Sequence, residues 1–111
     1  MTNQDIDRRL ALAIGYTADR VRIDLGGWIQ VLNDDSRMDG PTQYSGGQRF
    51  DHTDPAVIWP IAERFKAFPM DRLEADTYFA TVGYRSDATG EHENPATASA
   101  LAIIKYVEGK A

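Results

Sequence analysis

Two histidines, His52 and His92, are the only side chains in this sequence whose ordinary titration suits them to general base chemistry near neutral pH. Each stands beside carboxylates and just ahead of a proline, in Asp51-His52-Thr53-Asp54-Pro55 and in Glu91-His92-Glu93-Asn94-Pro95. If the two segments met, His52, Asp54, Glu91 and His92 would form a small-ligand, metal or hydrolytic site, since either chemistry needs several convergent groups. Such a site predicts binding that changes over about pH 6 to 7, where histidine titrates. Read singly, each is a solvated histidine flanking a helix. A calcium loop starting at Asp35 would continue through Arg37, Asp39 and Gly40. Its third position is then an arginine and its twelfth is Gly46, where a bidentate glutamate is required. Asp34, Asp35, Asp39, Asp51 and Asp54 therefore read as turn formers that bond their own backbone. Ser45-Gly46-Gly47 is neither a nucleophile elbow nor a lysine-bearing phosphate loop. The absence of cysteine removes thiolate nucleophiles, disulfides and thiolate zinc sites. The expectation is no catalytic residue, no metal and no cofactor.

These residues must be held by a short list of elements. Thr2 stands ahead of Asp5, and Ile6, Leu10, Ala13 and Ile14 follow at helical spacing, which predicts a first helix over 3–14 closed by Gly15. Val21, Ile23 and Leu25 alternate with Arg22 and Asp24 as a strand does. Gly26-Gly27 then reads as a hairpin turn or bulge before a second β run, Trp28 to Leu32. Residues 33–54 read as a long irregular loop, holding a short strand or lying as a flap, with Met38, Tyr44 and Phe50 as its apolar anchors. Loops of that length tend to be functional. Asp54-Pro55 is a cap and first-turn proline for a second helix that carries Val57, Ile58, Ile61, Ala62 and Phe65 on one stripe, with Pro60 expected to kink it. Thr77 to Tyr84 reads as a strand with Tyr78, Ala80, Val82 and Tyr84 on one face, and 86–93 as a polar loop. Asn94-Pro95 repeats the cap, opening a third helix over 96–108 whose alanines predict close packing against a sheet. The order α-β-β-α-β-α gives an α+β fold, one domain over 1–111 with helices packed on a small, mostly antiparallel sheet.

The 111 residues suffice for a single core, and 42% hydrophobic with 26% charged residues is the composition of a folded globular chain. Seventeen acidic against twelve basic side chains leave a net charge of -5, which argues against direct nucleic-acid binding. No apolar run approaches the roughly 20 residues of a membrane span. The polar, acidic start Met1 to Asp7 is unlike a signal peptide. A cytoplasmic location without membrane contact is the expectation. Trp28 and Trp59, with Tyr16, Tyr44, Tyr78 and Tyr84, could form an aromatic patch for a partner, but a domain of this size is expected to use most of them in its core.

The segment Phe50-Asp51-His52-Thr53-Asp54-Pro55-Ala56-Val57-Ile58-Trp59-Pro60-Ile61-Ala62-Glu63-Arg64-Phe65 resembles the central part of small bacteriophage proteins of the ABA sandwich type and the related NinX-like proteins. Asn3 to Gly15, Tyr44-Ser45, Tyr78 to Tyr84 and Asn94 to Ala102 resemble their remaining parts. Pro60 and the stretch Asp34 to Gly40 depart from that pattern. The resemblance implies an α/β/α sandwich, a phage or prophage origin with the host cytoplasm as location, and no established activity. The function expected is a non-catalytic accessory module that binds a host or phage protein through Met38, Tyr44 and Arg49, because aromatic and arginine side chains dominate interface energetics. The alternative is the ligand or metal site of His52, Asp54, Glu91 and His92. A DNA mimic would need its acids on one face, and homodimerisation through an exposed aromatic or a sheet edge stays open.

Overall fold

The first helix, α1 (Asn3–Ala13), begins in a capping box. Thr2 Oγ1 accepts from the Asp5 N–H at 3.1 Å, and the Asp5 carboxylate accepts from the Thr2 N–H at 3.2 Å. Gly15, at φ +117°, takes the chain out of the helix through a backbone conformation that costs glycine little. The structure, a computed structural model, describes residues 2–35, 43–72, 75–83 and 85–109, with backbone alone at 33–35, 43–46 and 85–86. The hydrogen bonds from Thr2 hold the Asp5 carboxyl below its ordinary value. A carboxylate depressed in this way adds stability above its unfolded value and loses it as pH falls through the folded one. The gap in melting temperature between wild type and Thr2→Ala is expected to narrow on going from neutral to acid pH. A gap that widens in acid would show that Asp5 carries no charge in the box.

After a 3₁₀ turn (Ala18–Arg20), β1 (Val21–Ile23), β2 (Ile29–Asp35) and β3 (Gln43–Arg49) form one antiparallel sheet in chain order. Its inner side is apolar: Val21, Ile29 and Val31 are buried, as is Phe50 just beyond β3, and α1 packs there with Ile6 and Leu10. Helix α2 (Pro55–Phe65) is capped by Asp54, whose Oδ1 accepts from the Ala56 N–H at 3.0 Å, and ends at Lys66 in a left-handed conformation. It runs through Pro60. Both Pro60 and Ala56 are exposed, so water can reach the carbonyl that the proline leaves without its donor. A second antiparallel sheet follows, β4 (Pro69–Arg72), β5 (Thr77–Val82) and β6 (Arg85–His92), and then α3 (Pro95–Glu108), capped by Asn94.

Three faces of α3 meet three neighbours. One lies directly on β6: a Cβ at Gly90 would stand 2.3 Å from the Ala98 carbonyl oxygen and 2.7 Å from the Ala102 nitrogen. A second carries Thr97 and Glu108 toward α1, where Glu108 pairs with Arg9 and Thr97 joins a buried network. The third turns Tyr106 edge-on to Phe65 of α2, with ring centroids 6.2 Å apart. Ala98, Ala100 and Ala102 are fully buried, because small side chains let the neighbouring backbones come this close.

The fold is thus α+β, as the element pattern predicts, with three α-helices and two three-stranded antiparallel sheets among the described residues in place of one small sheet. Two segments of the expected irregular stretch 33–54 are strand: β2 continues to Asp35, and Gln43–Arg49 is β3. The polar segment 86–93 lies almost wholly within β6, and β4 had no counterpart in the periodicity. Helices do not flank a single sheet as in an α/β/α sandwich; α1 covers the first sheet and α3 the second. Of the aromatics expected in the core, Tyr84 lies outside the described residues and Tyr44 is described by its backbone alone, and the other four stand at the core's margin. Trp28 is 40% exposed and Tyr16, Trp59 and Tyr78 are half-buried, while Leu10, Ile29, Ile58 and Ile103 are fully enclosed.

Candidate functional site

One titratable cluster is enclosed. Asp7 lies on the same stripe of α1 as Leu10 and Ala11, His52 precedes α2, and Thr97 is in the first turn of α3. His52 Nδ1 is 2.5 Å from Asp7 Oδ1, His52 Nε2 is 2.8 Å from Thr97 Oγ1, and the His52 backbone N–H also donates to Asp7 Oδ1 at 2.8 Å. With Nδ1–H donated to the carboxylate and Nε2 accepting from the threonine hydroxyl, both ring nitrogens are satisfied. The order carboxylate, imidazole, hydroxyl has the polarity of a nucleophilic triad, but a nucleophile must be reached by its substrate. Exposures of 2%, 0% and 1% for Asp7, His52 and Thr97 deny that access. The cluster is a staple that ties α1, α2 and α3 together, and the solvated His52 expected from its flanking residues is corrected to a buried one.

Asp51 adds a third potential ligand beside this staple. Ligand atoms of Asp7, Asp51 and His52 lie within 4.8 Å of one another, the one such group among the described residues. Their donors are already committed. Asp51 Oδ1 accepts from the Thr53 N–H at 2.9 Å and the Thr53 hydroxyl at 2.6 Å, and both His52 nitrogens are engaged. A metal would have to displace the hydrogen bonds that close the core, so the donor set reads as structural.

The remaining expected ligands are not gathered. Asp54 serves as the α2 cap. Glu91 accepts from Thr77 Oγ1 and from Arg72 Nη1, each at 2.8 Å, and the Thr77 hydrogen bond with the Arg72 charge holds its carboxyl below the ordinary value. His92 is exposed, with Nδ1 accepting from the Asn94 N–H at 3.0 Å, as a solvated helix-flanking histidine would be. The four residues His52, Asp54, Glu91 and His92 each do local structural work and make no shared metal-ligand group.

The accessible chemistry lies on the outer side of the first sheet. Register sets Arg22 against Gln30 and Gln30 against Arg49, so three polar side chains cross β1, β2 and β3 in one row. Trp28 joins them, two residues ahead of Gln30. The Arg49 guanidinium lies over the Trp28 ring, 4.3 Å from its centroid, a cation–π contact worth about 0.5–1 kcal/mol at an exposed position. Asp24 Oδ1 accepts from the Gly26 and Trp28 N–H groups at 2.8 and 3.0 Å, which fixes the turn that presents the indole. Gly47 leaves room for Gln30 to lie across β3, since a Cβ there would stand 2.7 Å from Gln30 Cγ. Leu25, at the tip of the turn, is fully exposed.

Of the three anchors expected for a partner, Arg49 is part of this row. Tyr44 stands on β3 opposite Asp34, in a stretch described by its backbone alone, and Met38 lies outside the described residues. Reasoning from residue types missed Asp7 and Thr97 as partners of His52, and Arg22 as a member of the same cross-strand row as Arg49. A signal for Asp7 exists: it falls in phase with Leu10, Ala11 and Ile14, a carboxylate on the apolar stripe of a helix. No protein-family model, curated protein or solved structure matches the chain.

Proposed function

We propose that this protein is a non-catalytic binding module that docks an acidic segment of a partner protein on the outer side of β1–β2–β3. The observation that carries this reading is the Arg49 guanidinium stacked on a partly exposed Trp28, with Arg22 in the same cross-strand row. Tryptophan and arginine are the residue types that most often anchor interfaces. Two guanidinium groups give this face local positive charge on a chain of net charge -5. Asp24, a carboxylate beside them, has an oxygen already engaged by two backbone N–H groups. The enclosed Asp7–His52–Thr97 cluster favours binding over hydrolysis, since its would-be nucleophile is shut away. A small accessory protein of phage type, acting on a host or phage protein, is the biological setting that the resemblance implies. No described helix is long and apolar enough to cross a membrane, which accords with a partner outside the bilayer.

Selection of random peptides displayed on a carrier against the immobilised protein tests this. Wild type is expected to enrich sequences rich in Asp and Glu with an aromatic residue, and Trp28→Ala with Arg49→Glu is expected to weaken the best peptide at least about thirtyfold, the scale of a lost hot spot. A consensus without acidic residues, or equal binding by the double variant, sinks the assignment.

A further inference from the structure

The edge that β1 gives the first sheet carries unpaired main chain. The Asp24 N–H donates to the Trp28 carbonyl at 2.9 Å, and the Ile29 carbonyl accepts from the Phe50 N–H at 2.8 Å, on the β3 side. Bonded and non-bonded pairs alternate along an antiparallel ladder, so Asp24 and Arg22 bond across to β2, and Val21 and Ile23 turn their main chain away from it. The Val21 N–H donates to the Ala18 carbonyl. The Val21 C=O and the Ile23 N–H and C=O have no partner among the described residues. Beside them a groove of about 520 Å³ runs between β1 and the first turns of α1. Buried Val21 and Ile29 lie at its base, and Ile23, 58% exposed, stands at its lip. Gln4 Nε2 donates to the Gly27 carbonyl at 2.8 Å, which ties the start of α1 to the hairpin and sets the width of the groove. Arg8 and Arg22 flank it, and among the described residues neither makes a hydrogen bond or an ion pair. Asp5, the carboxylate in its lining, is engaged in the capping box.

We propose that the partner's segment is held here as an extra antiparallel strand beside β1, with an acidic residue opposite Arg22 and apolar residues opposite Ile23 and Val21. The proposal rests on the docking reading for the acidic character of the segment and adds how its main chain is gripped. The residue opposite Ile23 exchanges both main-chain hydrogen bonds with it, and the residue opposite Val21 donates its N–H to the Val21 carbonyl. Side chains alternate along a strand, so the two apolar ones face the groove beside Ile23. The acidic one meets Arg22 on the outer side and extends the Arg22–Gln30–Arg49 row by one strand. A basic segment would set like charge against Arg8 and Arg22.

The probe is the blocked peptide acetyl-Thr-Val-Glu-Val-Thr-amide, titrated into isotopically labelled protein and followed by backbone amide shifts. It is expected to move Arg22, Ile23 and Asp24 saturably and to slow hydrogen exchange at the Ile23 amide. N-methylation of either valine should weaken it about tenfold or more, because the amide that faces β1 is lost and a methyl stands in its place. N-methylation of the glutamate, whose amide faces solvent, should change affinity by less than about twofold. Ile23→Pro removes the outward donor without touching the ladder to β2 and should weaken the peptide more than Ile23→Ala, which keeps that N–H. A peptide with lysine in place of glutamate should bind about tenfold more weakly. Equal binding of the lysine peptide would overturn the proposal together with the acidic reading beneath it. Equal sensitivity to all three methylations, shifts that map elsewhere, or no saturation by roughly 10 mM peptide would overturn the added strand alone. So would a wild type that sediments as a dimer and an Ile23→Pro variant that sediments as a monomer, since a second copy would then hold the edge.

Discussion

Asp7→Ala is expected to cost about 3–5 kcal/mol of folding stability, the usual consequence of removing one member of a buried polar pair. At about 4–8 °C per kcal/mol for a domain near this size, the melting temperature should fall by at least about 12 °C. The reason lies in what is left behind. Asp7 Oδ1 accepts from both the His52 ring and the His52 backbone N–H, so its loss strands two donors in a site where His52 has no exposure at all. A total stability of about 5–15 kcal/mol is typical of a domain, so this one change removes a large share. Replacing the whole network with Asp7→Leu, His52→Leu and Thr97→Val should cost less than Asp7→Ala alone, because only the backbone N–H of residue 52 is then left unpaired and the imidazole is gone. Thermal denaturation followed by circular dichroism measures both. An Asp7→Ala protein that melts within a few degrees of wild type would show that water reaches His52 and that the staple is not closed.

Gly90→Ala is the second large effect. One added methyl would stand 2.3 Å from a backbone oxygen and 2.7 Å from a backbone nitrogen of α3, atoms that no rotamer change can move aside. The helix would have to lift from β6, and with it the contacts of α3 to β5, α1 and α2 would loosen. Ordinary overpacking costs about 1–3 kcal/mol, and this case is expected at or above the upper end because the clash is with main chain. Gly90→Val should fail to give a cooperative unfolding transition. Gly27→Ala is the comparison: a Cβ there meets nothing, so its cost is limited to the strain of φ +83° and should be smaller. If Gly90→Ala melts no lower than Gly27→Ala, the close approach of α3 to β6 is not as drawn.

The elements that sequence periodicity revealed are those with strong local chemistry. Thr2 with Asp5, Asp54-Pro55 and Asn94-Pro95 mark all three helix starts, and α1, α2 and α3 begin where those signals stand. Tyr78 to Val82 alternates as a half-buried strand should, and Ala80 and Val82 are its buried members. β4 and β6, which the periodicity did not show, and β3, expected only as a short strand or a flap within 33–54, have little of that chemistry. The β3 sequence Gln43-Tyr44-Ser45-Gly46-Gly47-Gln48-Arg49 carries two glycines and an irregularity of register, where the two steps from Leu32 to Asp34 face three from Gly47 to Tyr44. β4 begins with a proline at a sheet edge, where a missing donor does no harm, and β6 meets α3 through Ala88 and Gly90, which lack the bulk that β propensity rewards. The site was legible in part. Arg49 stands out by residue type, but its stacking on Trp28 depends on pairing between β2 and β3 that propensity does not announce. His52 was read from neighbours in the chain, all polar, while its real partners Asp7 and Thr97 lie 45 positions away on either side.

The three-sided embedding of α3 also sets the order in which this chain can become a protein. During synthesis α1, both sheets and α2 leave the ribosome before α3 does, and the Arg9–Glu108 pair joins positions 99 apart. Until α3 emerges, β5 and β6 lack the helix that covers them, α2 lacks the partner for Phe65, and Thr97 is not there to complete the hydrogen bonds of His52. Closure therefore waits on the last helix and on long-range contacts, the circumstance in which folding is slow and unfinished sheets stay open to other chains.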